Sequence, residues 1–225
     1  GIKVLGFSDH AMFPGFDQRG IRGSFSLIED YINSVNYLKE KYKDKIKILL
    51  GFEAEFFEND DNYYKELFSK YKFDYLILGQ HFLTADNSDN QYVFSPNARD
   101  KVDTYLYLVE QACKSGYFTY IAHPDIILGT FVEFDSEAER VSRQLCEICK
   151  QYNMPLEINL CGMRFHKRDH LMYPNENFFK IVGEYNLPVC IGIDAHDPKA
   201  MIDNDYDIAL RIANSYHLKL VNQQF

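Results

Sequence analysis

The chain has 225 residues, a formal net charge of −9 at pH 7 and 46 % hydrophobic residues. This length is enough to bury a full hydrophobic core, and the composition excludes a disordered or a fibrous chain. No run approaches the roughly 20 consecutive apolar residues of a membrane-spanning helix. We expect a cytoplasmic protein that binds neither a membrane nor nucleic acid, because a net negative chain repels phosphates.

Six short apolar runs, each about as long as a β-strand, recur along the chain. They are nearly continuous rather than alternating, which is typical of strands buried on both faces. Stretches with helical spacing separate them, and the alternation predicts a single α/β domain over residues 1–225 with parallel strands. The runs are 2–7, 46–52, 75–80, 117–122, 155–160 and 188–193, and the helical stretches are 26–42, 63–71, 104–116, 138–152, 175–186 and 206–217.

Five cysteines form an odd count at low density, which favours a reducing compartment over a disulfide framework. Cys146 and Cys149 form a C-x-x-C pair, but the pair lies inside a predicted helix. At that spacing we interpret the two thiols as small apolar side chains on one helix face, not as a redox or zinc motif.

Histidines, carboxylates and one amide stand at the carboxyl ends of the predicted strands. Parallel strands bring these ends to one face, where the active sites of α/β enzymes lie. A closed barrel would converge the side chains on one axis, whereas an open sheet would spread them along a line, so their number favours a barrel. The residues are His10, Glu53, His81, His123, Glu157, Asn159, Asp194 and His196.

This set of side chains indicates a metal site. Histidine and carboxylate ligands suit Zn, Mn or Fe. The set is larger than one tetrahedral ion needs, so we expect two or three divalent ions. Clustered ions of this kind bind a phosphate or carbonyl oxygen and lower the pKa of a bound water, which predicts a hydrolase.

Other charged residues near these positions leave alternatives open. Glu55 has the same strand parity as Glu53 and could replace it as a ligand, but Glu53 is nearer the strand end. Arg164 either contacts a phosphate or lies on the surface. Arg19 and Arg22, in a loop after His10, either reach an anionic substrate or are solvated. His166 and His170 lie in an apparent loop, where we expect no metal site.

The ordered motifs of the chain resemble the PHP family, named after polymerase and histidinol phosphatase, and above all its histidinol-phosphate phosphatase branch. The motifs are SDH (8–10), GFEAE (51–55), GQHF (79–82), AHPD (122–125), EINLCGMR (157–164) and GIDAHD (192–197). The resemblance implies a distorted TIM-like (β/α)7 barrel with a trinuclear metal centre. It makes His10, Glu53, His81, His123, Asp194 and His196 the metal ligands and Arg164 a phosphate contact.

The reaction implied by the resemblance is hydrolysis of L-histidinol phosphate to L-histidinol and phosphate, in histidine biosynthesis. We predict that Asp194 or His196 assists proton transfer to the leaving group, and that Asn159 joins Arg164 in binding the substrate. The alternatives are another PHP phosphoesterase, an amidohydrolase-type metal hydrolase, and a non-catalytic truncated barrel that acts as a binding module. The oligomeric state stays open.

The family opens with a strand that carries H-x-H, and this pattern does not occur in the sequence. We therefore expect the first βα unit to precede Gly1, so that the native protein would be longer by about 30 residues.

Overall fold

The computed structural model describes residues 2–17, 20–58, 61–85, 91–95, 97–169, 172–202 and 205–221. The strands are β1 (Val4–His10), β2 (Lys47–Ala54), β3 (Tyr75–Leu78), β4 (Leu156–Asn159), β5 (Pro188–Gly192) and β6 (Lys219–Leu220). The helices are α1 (Ile28–Tyr42), α2 (Asp61–Lys70), α3 (Val102–Ser115), α4 (Ser136–Tyr152), α5 (Leu160–Asp169), α6 (Glu176–Tyr185) and α7 (Asp205–Ser215).

The strands form two parallel three-stranded sheets, in the orders β1-β2-β3 and β4-β5-β6. This confirms the predicted α/β fold with parallel strands. The run 117–122 does not form a full strand, although Ile121 bridges Leu78 of β3 on one side and Leu156 of β4 on the other. The extended segment ends at Ala122, where His123 follows with a φ of 33° and turns the chain away.

The strand order is therefore β1-β2-β3, then Ile121, then β4-β5-β6. The backbone N–H of Ala122 donates to the carbonyl of Leu78 at 2.9 Å, and that of Ile121 donates to the carbonyl of Pro155 at 3.0 Å. Within the described residues β1 and β6 do not pair with each other, so no closed sheet is found there. The parallel α/β fold is therefore confirmed, and the closure of the sheet into a barrel is not.

The segment around His166 is a helix, α5, where the sequence suggested a loop. Gly162 disfavours a helix by intrinsic propensity. In the structure, the side-chain oxygen of Asn159 accepts a hydrogen bond from the backbone N–H of Gly162 at 2.7 Å. This bond satisfies a donor in the first turn of the helix, which offsets the weak propensity of glycine.

Helix α4 packs its apolar side into the hydrophobic core. The carboxylate of Asp135 accepts hydrogen bonds from the backbone N–H groups of Glu137 and Ala138 and so caps the helix start. Cys146 and Cys149 are fully buried and form no disulfide, as expected for apolar side chains on one face. No helix in the described part of the chain is both long and apolar enough to cross a membrane.

Candidate metal centre

Glu53 lies at the centre of a cluster of imidazoles. Its Oε1 atom is 2.8 Å from Nε2 of His123 and 3.3 Å from Nε2 of His81. The ring of His10 lies against that of His81, with centroids 4.8 Å apart, and the rings of His81 and His123 are 4.7 Å apart. His10 and Glu53 are direct partners in the register of β1 and β2. The structure thus brings together four of the residues that the sequence placed at strand ends.

Two glycines make room for the carboxylates between the strands. A Cβ atom added to Gly79 would lie 2.1 Å from Oε1 of Glu53, and one added to Gly192 would lie 1.6 Å from Oε1 of Glu157. Neither separation is possible for a real side chain. Each carboxylate therefore lies over the backbone of a neighbouring strand, a position that only glycine there permits.

The charges of the cluster are strongly coupled. Burial alone would raise the pKa of Glu53, but the hydrogen bond from His123 and the neighbouring imidazoles hold this pKa well below its usual range. Burial acts to lower the pKa of His123, and the hydrogen bond and charge of Glu53 override it and raise the pKa to about 9. Burial lowers the pKa of His10. In the absence of metal, a carboxylate–imidazolium pair therefore occupies the centre.

A second group of potential ligands lies at the ends of β4 and β5. It consists of Cys161, Asp194 and His196, whose ligand atoms all lie within 4.8 Å of one another. Nδ1 of His196 is 3.4 Å from Oδ1 of Asp194 and 3.6 Å from Sγ of Cys161. The ring of His196 is 6.5 Å from that of His10, so the two groups are neighbours.

The backbone is left-handed at two of these positions. His123 has a φ of 33° and Asp194 a φ of 46°. The other non-glycine residues with positive φ in the described chain are Asn153, Asn186 and His217, which follow helix ends. Such conformations cost about 1–3 kcal/mol for most residues and concentrate at functional sites. At His123 and Asp194 the turn lies where an extended segment ends and the side chain enters the cluster.

A buried network of hydrogen bonds joins the two groups. Oε2 of Glu157 accepts from the backbone N–H of His123 at 2.9 Å and from the side-chain amide of Asn159 at 2.8 Å. The same amide donates to Oδ2 of Asp194 at 3.0 Å. Burial raises the pKa of Glu157 to about 7. Asn159 thus orients Asp194, and its predicted contact with the substrate stays a prediction.

Arg164 lies on α5, beside the segment that follows β5. Its Nη2 atom donates hydrogen bonds to the carbonyl oxygens of Ile193 and Asp194, at 2.7 and 2.9 Å. The side chain is therefore held next to the second ligand group rather than free on the surface. Its predicted contact with a phosphate stays a prediction.

Arg22 is buried and is not a solvated loop residue. Its guanidinium makes two hydrogen bonds to Glu55. Oε1 of Glu55 is also 3.3 Å from Nδ1 of His81. Because Glu55 is engaged by Arg22, the prediction of Glu53 rather than Glu55 as the metal ligand is kept, and it stays a prediction. Arg19 and His170 lie outside the described residues.

The donor set fits divalent transition metals. The Nδ1 atoms of His10 and His123 are buried and have no hydrogen-bond partner among the described residues. Buried polar atoms are rarely left unsatisfied unless something else binds in their neighbourhood. Imidazole nitrogens and carboxylate oxygens together match Zn, Mn and Fe. The residues present are therefore able to hold such ions.

The family model for the PHP domain matches residues 1–160 of the chain. The chain belongs to the PHP family. A Deinococcus radiodurans protein named as a probable histidinol-phosphatase is 27 % identical over 202 residues, which cover 88 % of this chain and 76 % of that protein. The second ligand group, Cys161, Asp194 and His196, lies wholly beyond the matched residues, so its assignment as a ligand group rests on its geometry.

Two solved structures share the fold. The Listeria monocytogenes protein hisK is 20 % identical with a TM-score of 0.72, over 92 % of this chain and 88 % of that one. The Lactococcus lactis histidinol phosphate phosphatase, in complex with Zn, L-histidinol and phosphate, is 18 % identical with a TM-score of 0.71. That match covers 98 % of this chain and 84 % of the other.

Sequence reasoning missed Cys161 and the Arg22–Glu55 pair. Cys161 was assessed only as one of five free thiols, although it stands two residues after Asn159, at the edge that carries the other candidates. Its distance from that strand end was a usable signal. No sequence signal indicated that Glu55 is the partner of Arg22, because the path of the loop after β1 follows no periodic pattern.

Proposed function

We propose that the chain is a metal-dependent phosphomonoesterase that hydrolyses L-histidinol phosphate to L-histidinol and phosphate. The observation that carries this proposal is the buried contact of Glu53 with His81 and His123, beside His10 and the group around Asp194. Membership of the PHP family and the names of the relatives support the reaction and the substrate. In this proposal the parallel strands act as one domain with a (β/α)7 barrel arrangement.

Six side chains would hold two or three divalent ions, of Zn, Mn or Fe. When bound, these ions would supply positive charge to the phosphate oxygens and would activate the attacking water. The ligands would be His10, Glu53, His81, His123, Asp194 and His196. Several carboxylates and imidazoles converge there, and cations between them would relieve the repulsion between neighbouring carboxylates.

The residues around this centre would bind and orient the ester. Arg164 would hold the phosphate through its fixed fork of N–H donors, since it already lies beside Asp194. The amide of Asn159 would keep Asp194 in one orientation. Their joint effect would be to hold the phosphorus in line between the attacking water and the ester oxygen.

Hydrolysis requires a proton for the leaving group. The oxygen of water forms a new bond to phosphorus, the ester P–O bond breaks, and the departing alkoxide takes up a proton to give the alcohol. The side chain of His196 is 61 % exposed, so it is the candidate that a substrate can reach most easily. Asp194 is the alternative proton donor, and the same two residues are predicted ligands.

The experiment is phosphate release from L-histidinol phosphate by the purified protein loaded with Mn²⁺ or Zn²⁺. The same protein after chelator treatment is the control, and Glu139→Gln, an exposed carboxylate on α4, is the matched control variant. We expect release that depends on added metal. Release no faster than that of the chelated protein would overturn the proposal. Faster release from unrelated small phosphomonoesters would overturn the substrate assignment alone.

A further inference from the structure

We propose that Cys161 is a thiolate ligand of a zinc-type ion that it shares with Asp194 and His196. The inference rests on the proposed function in one respect, namely that this end of the strands binds divalent metal. It goes further because it adds a sulfur ligand to a centre that was predicted to contain only nitrogen and oxygen ligands.

The two distances from His196 match those between ligands of one tetrahedral ion, and the ligand atoms of Cys161 and Asp194 lie within 4.8 Å of each other. Nδ1 of His196 is 3.6 Å from Sγ of Cys161 and 3.4 Å from Oδ1 of Asp194. Zinc bonds of ~2.3 Å to sulfur and ~2.0 Å to nitrogen or oxygen separate S from N by ~3.5 Å and N from O by ~3.3 Å in a tetrahedron. The three atoms could therefore bind one ion with small adjustments.

The register of the sheet explains why these residues meet. Asn159 of β4 and Gly192 of β5 are paired neighbours. Cys161 lies in the first turn of α5, two residues after Asn159, and Asp194 lies two residues after Gly192, so both follow closely on the paired strand ends. The hydrogen bond from Asn159 to Oδ2 of Asp194 leaves Oδ1 directed at His196.

The surroundings of the thiol suit a bound metal. Cys161 is 4 % exposed, while the side chain of His196 is largely exposed, so an ion held by both would keep an open side for another ligand. Burial and the neighbouring Asp194 raise the pKa of the Cys161 thiol, and the guanidinium of Arg164, which contacts the thiol, acts in the opposite direction. His10, whose ring is 6.5 Å from that of His196, has a buried Nδ1 without a partner among the described residues.

A sulfur ligand would change which metals the position accepts. Soft thiolate favours Zn and Co(II) over Mn and Mg, which prefer oxygen ligands. We therefore expect this position to select Zn over Mn. Cys161→Ser should weaken Zn binding at this position by roughly tenfold or more, an effect of the size that altered metal surroundings produce.

The test is to load the metal-free, reduced protein with Co²⁺ and record its absorption spectrum. We expect a near-ultraviolet thiolate-to-cobalt charge-transfer band, in addition to the visible bands of cobalt held by histidine and carboxylate. Cys161→Ser and Cys161→His should both lose the charge-transfer band and keep the visible bands. Cys113→Ser is the matched control, because Cys113 is 5 % exposed on α3, and it should keep both.

Visible bands without the charge-transfer band in the native protein, or a charge-transfer band that survives in Cys161→Ser, would overturn the thiolate assignment. Phosphate release measured on the same samples separates the two proposals. Metal-dependent release without the band overturns only the role of Cys161. Absence of cobalt binding of any kind overturns the role of Cys161 together with the metal-dependent function.

Discussion

Arg22 and Glu55 form a bidentate ion pair in which neither side chain is exposed to solvent. Nη1 of Arg22 is 3.0 Å from Oε2 of Glu55, and Nη2 is 2.6 Å from Oε1. Nη1 also donates to the carbonyl oxygen of Ala11 at 2.6 Å, and the guanidinium lies 4.7 Å from the ring centroid of Phe16. Since Ala11 follows His10, the pair ties the segment after β1 to the residue that follows β2.

Replacing Arg22 by methionine should destabilise the protein strongly. The variant leaves the carboxylate of Glu55 buried without a cation, and breaking a buried pair in this way costs about 3–5 kcal/mol. The double variant Arg22→Met/Glu55→Leu removes both charges and should recover much of that loss. The measurement is urea unfolding of the metal-free proteins. A single variant that loses less than about 1 kcal/mol would show that the pair contributes little, since it would match a surface ion pair.

The same pair predicts how stability depends on acid pH. Burial acts to raise the pKa of Glu55, but the charge of Arg22 outweighs it and lowers the pKa from 4.5 to about 2. A carboxyl group whose pKa is lowered on folding contributes stability above its unfolded pKa and loses it as the pH falls. As the pH falls from 4.5 to about 2, the free energy of unfolding of the native protein should therefore decrease relative to that of the double variant. A difference that stays constant over this range would contradict the assignment.

The sequence was sufficient for the parts of the site that follow from local patterns. That His10, Glu53, His81 and His123 lie together was predictable because buried runs mark the strands and parallel strands end at one face, and their role as metal ligands stays a prediction. Their convergence needed no information about loops. The approach of Arg22 to Glu55 depends instead on where a non-repetitive loop folds, and no period in the sequence reports that.

Local propensity also misled the prediction in two places. The segment after β4 is a helix whose start is capped by the bond from the N–H of Gly162 to the side chain of Asn159, a local contact that offsets the low helix propensity of glycine. The run 117–122 has the composition of a strand, but the turn at His123 ends it after Ile121 has bridged its two neighbours. In both places the local feature, a cap in the first and a backbone turn in the second, lies outside the periodic pattern.

Glu53→Gln should abolish metal binding and phosphatase activity together. The amide keeps the size of the carboxylate but removes the negative charge that faces His81 and His123. We expect activity to fall by at least about 100-fold, the scale of losing a group that acts directly in catalysis. Metal content after dialysis and phosphate release from L-histidinol phosphate are the two measurements.

The control for this variant is Glu139→Gln, which removes an exposed carboxylate from α4 and should leave both quantities unchanged. Retention of full metal content and activity in Glu53→Gln would place the metal centre elsewhere.

Arg164→Lys should weaken phosphate binding. Lysine keeps the positive charge but loses the planar fork, which matches two phosphate oxygens at once. We expect kcat/KM for the phosphate ester to fall by about 10–100-fold, and inhibition by inorganic phosphate to weaken in parallel. A purely structural role, through the bonds to the carbonyls of Ile193 and Asp194, would lower thermal stability without changing phosphate inhibition. Unaltered inhibition by phosphate would therefore assign Arg164 to structure alone.

Metal binding should release a proton from His123. In the metal-free protein Glu53 raises the pKa of His123 to about 9, so this imidazole is protonated at neutral pH. A metal ligand must be neutral imidazole, so the ion has to displace that proton. Metal affinity should therefore increase as the pH rises towards about 9, by up to about tenfold per pH unit, and then level off.

The pH dependence of folding stability has the opposite sign to that of metal affinity. A histidine whose pKa is raised on folding stabilises the metal-free protein below its unfolded pKa of 6.5, and this contribution is lost as the pH rises through about 9. Alkaline pH should thus weaken the metal-free protein while it strengthens metal binding. Calorimetric titration with Zn²⁺ in buffers of different ionisation enthalpy counts the protons released. His123→Ala should release one proton fewer than the native protein, and an equal count in the two would show that His123 is not the group displaced.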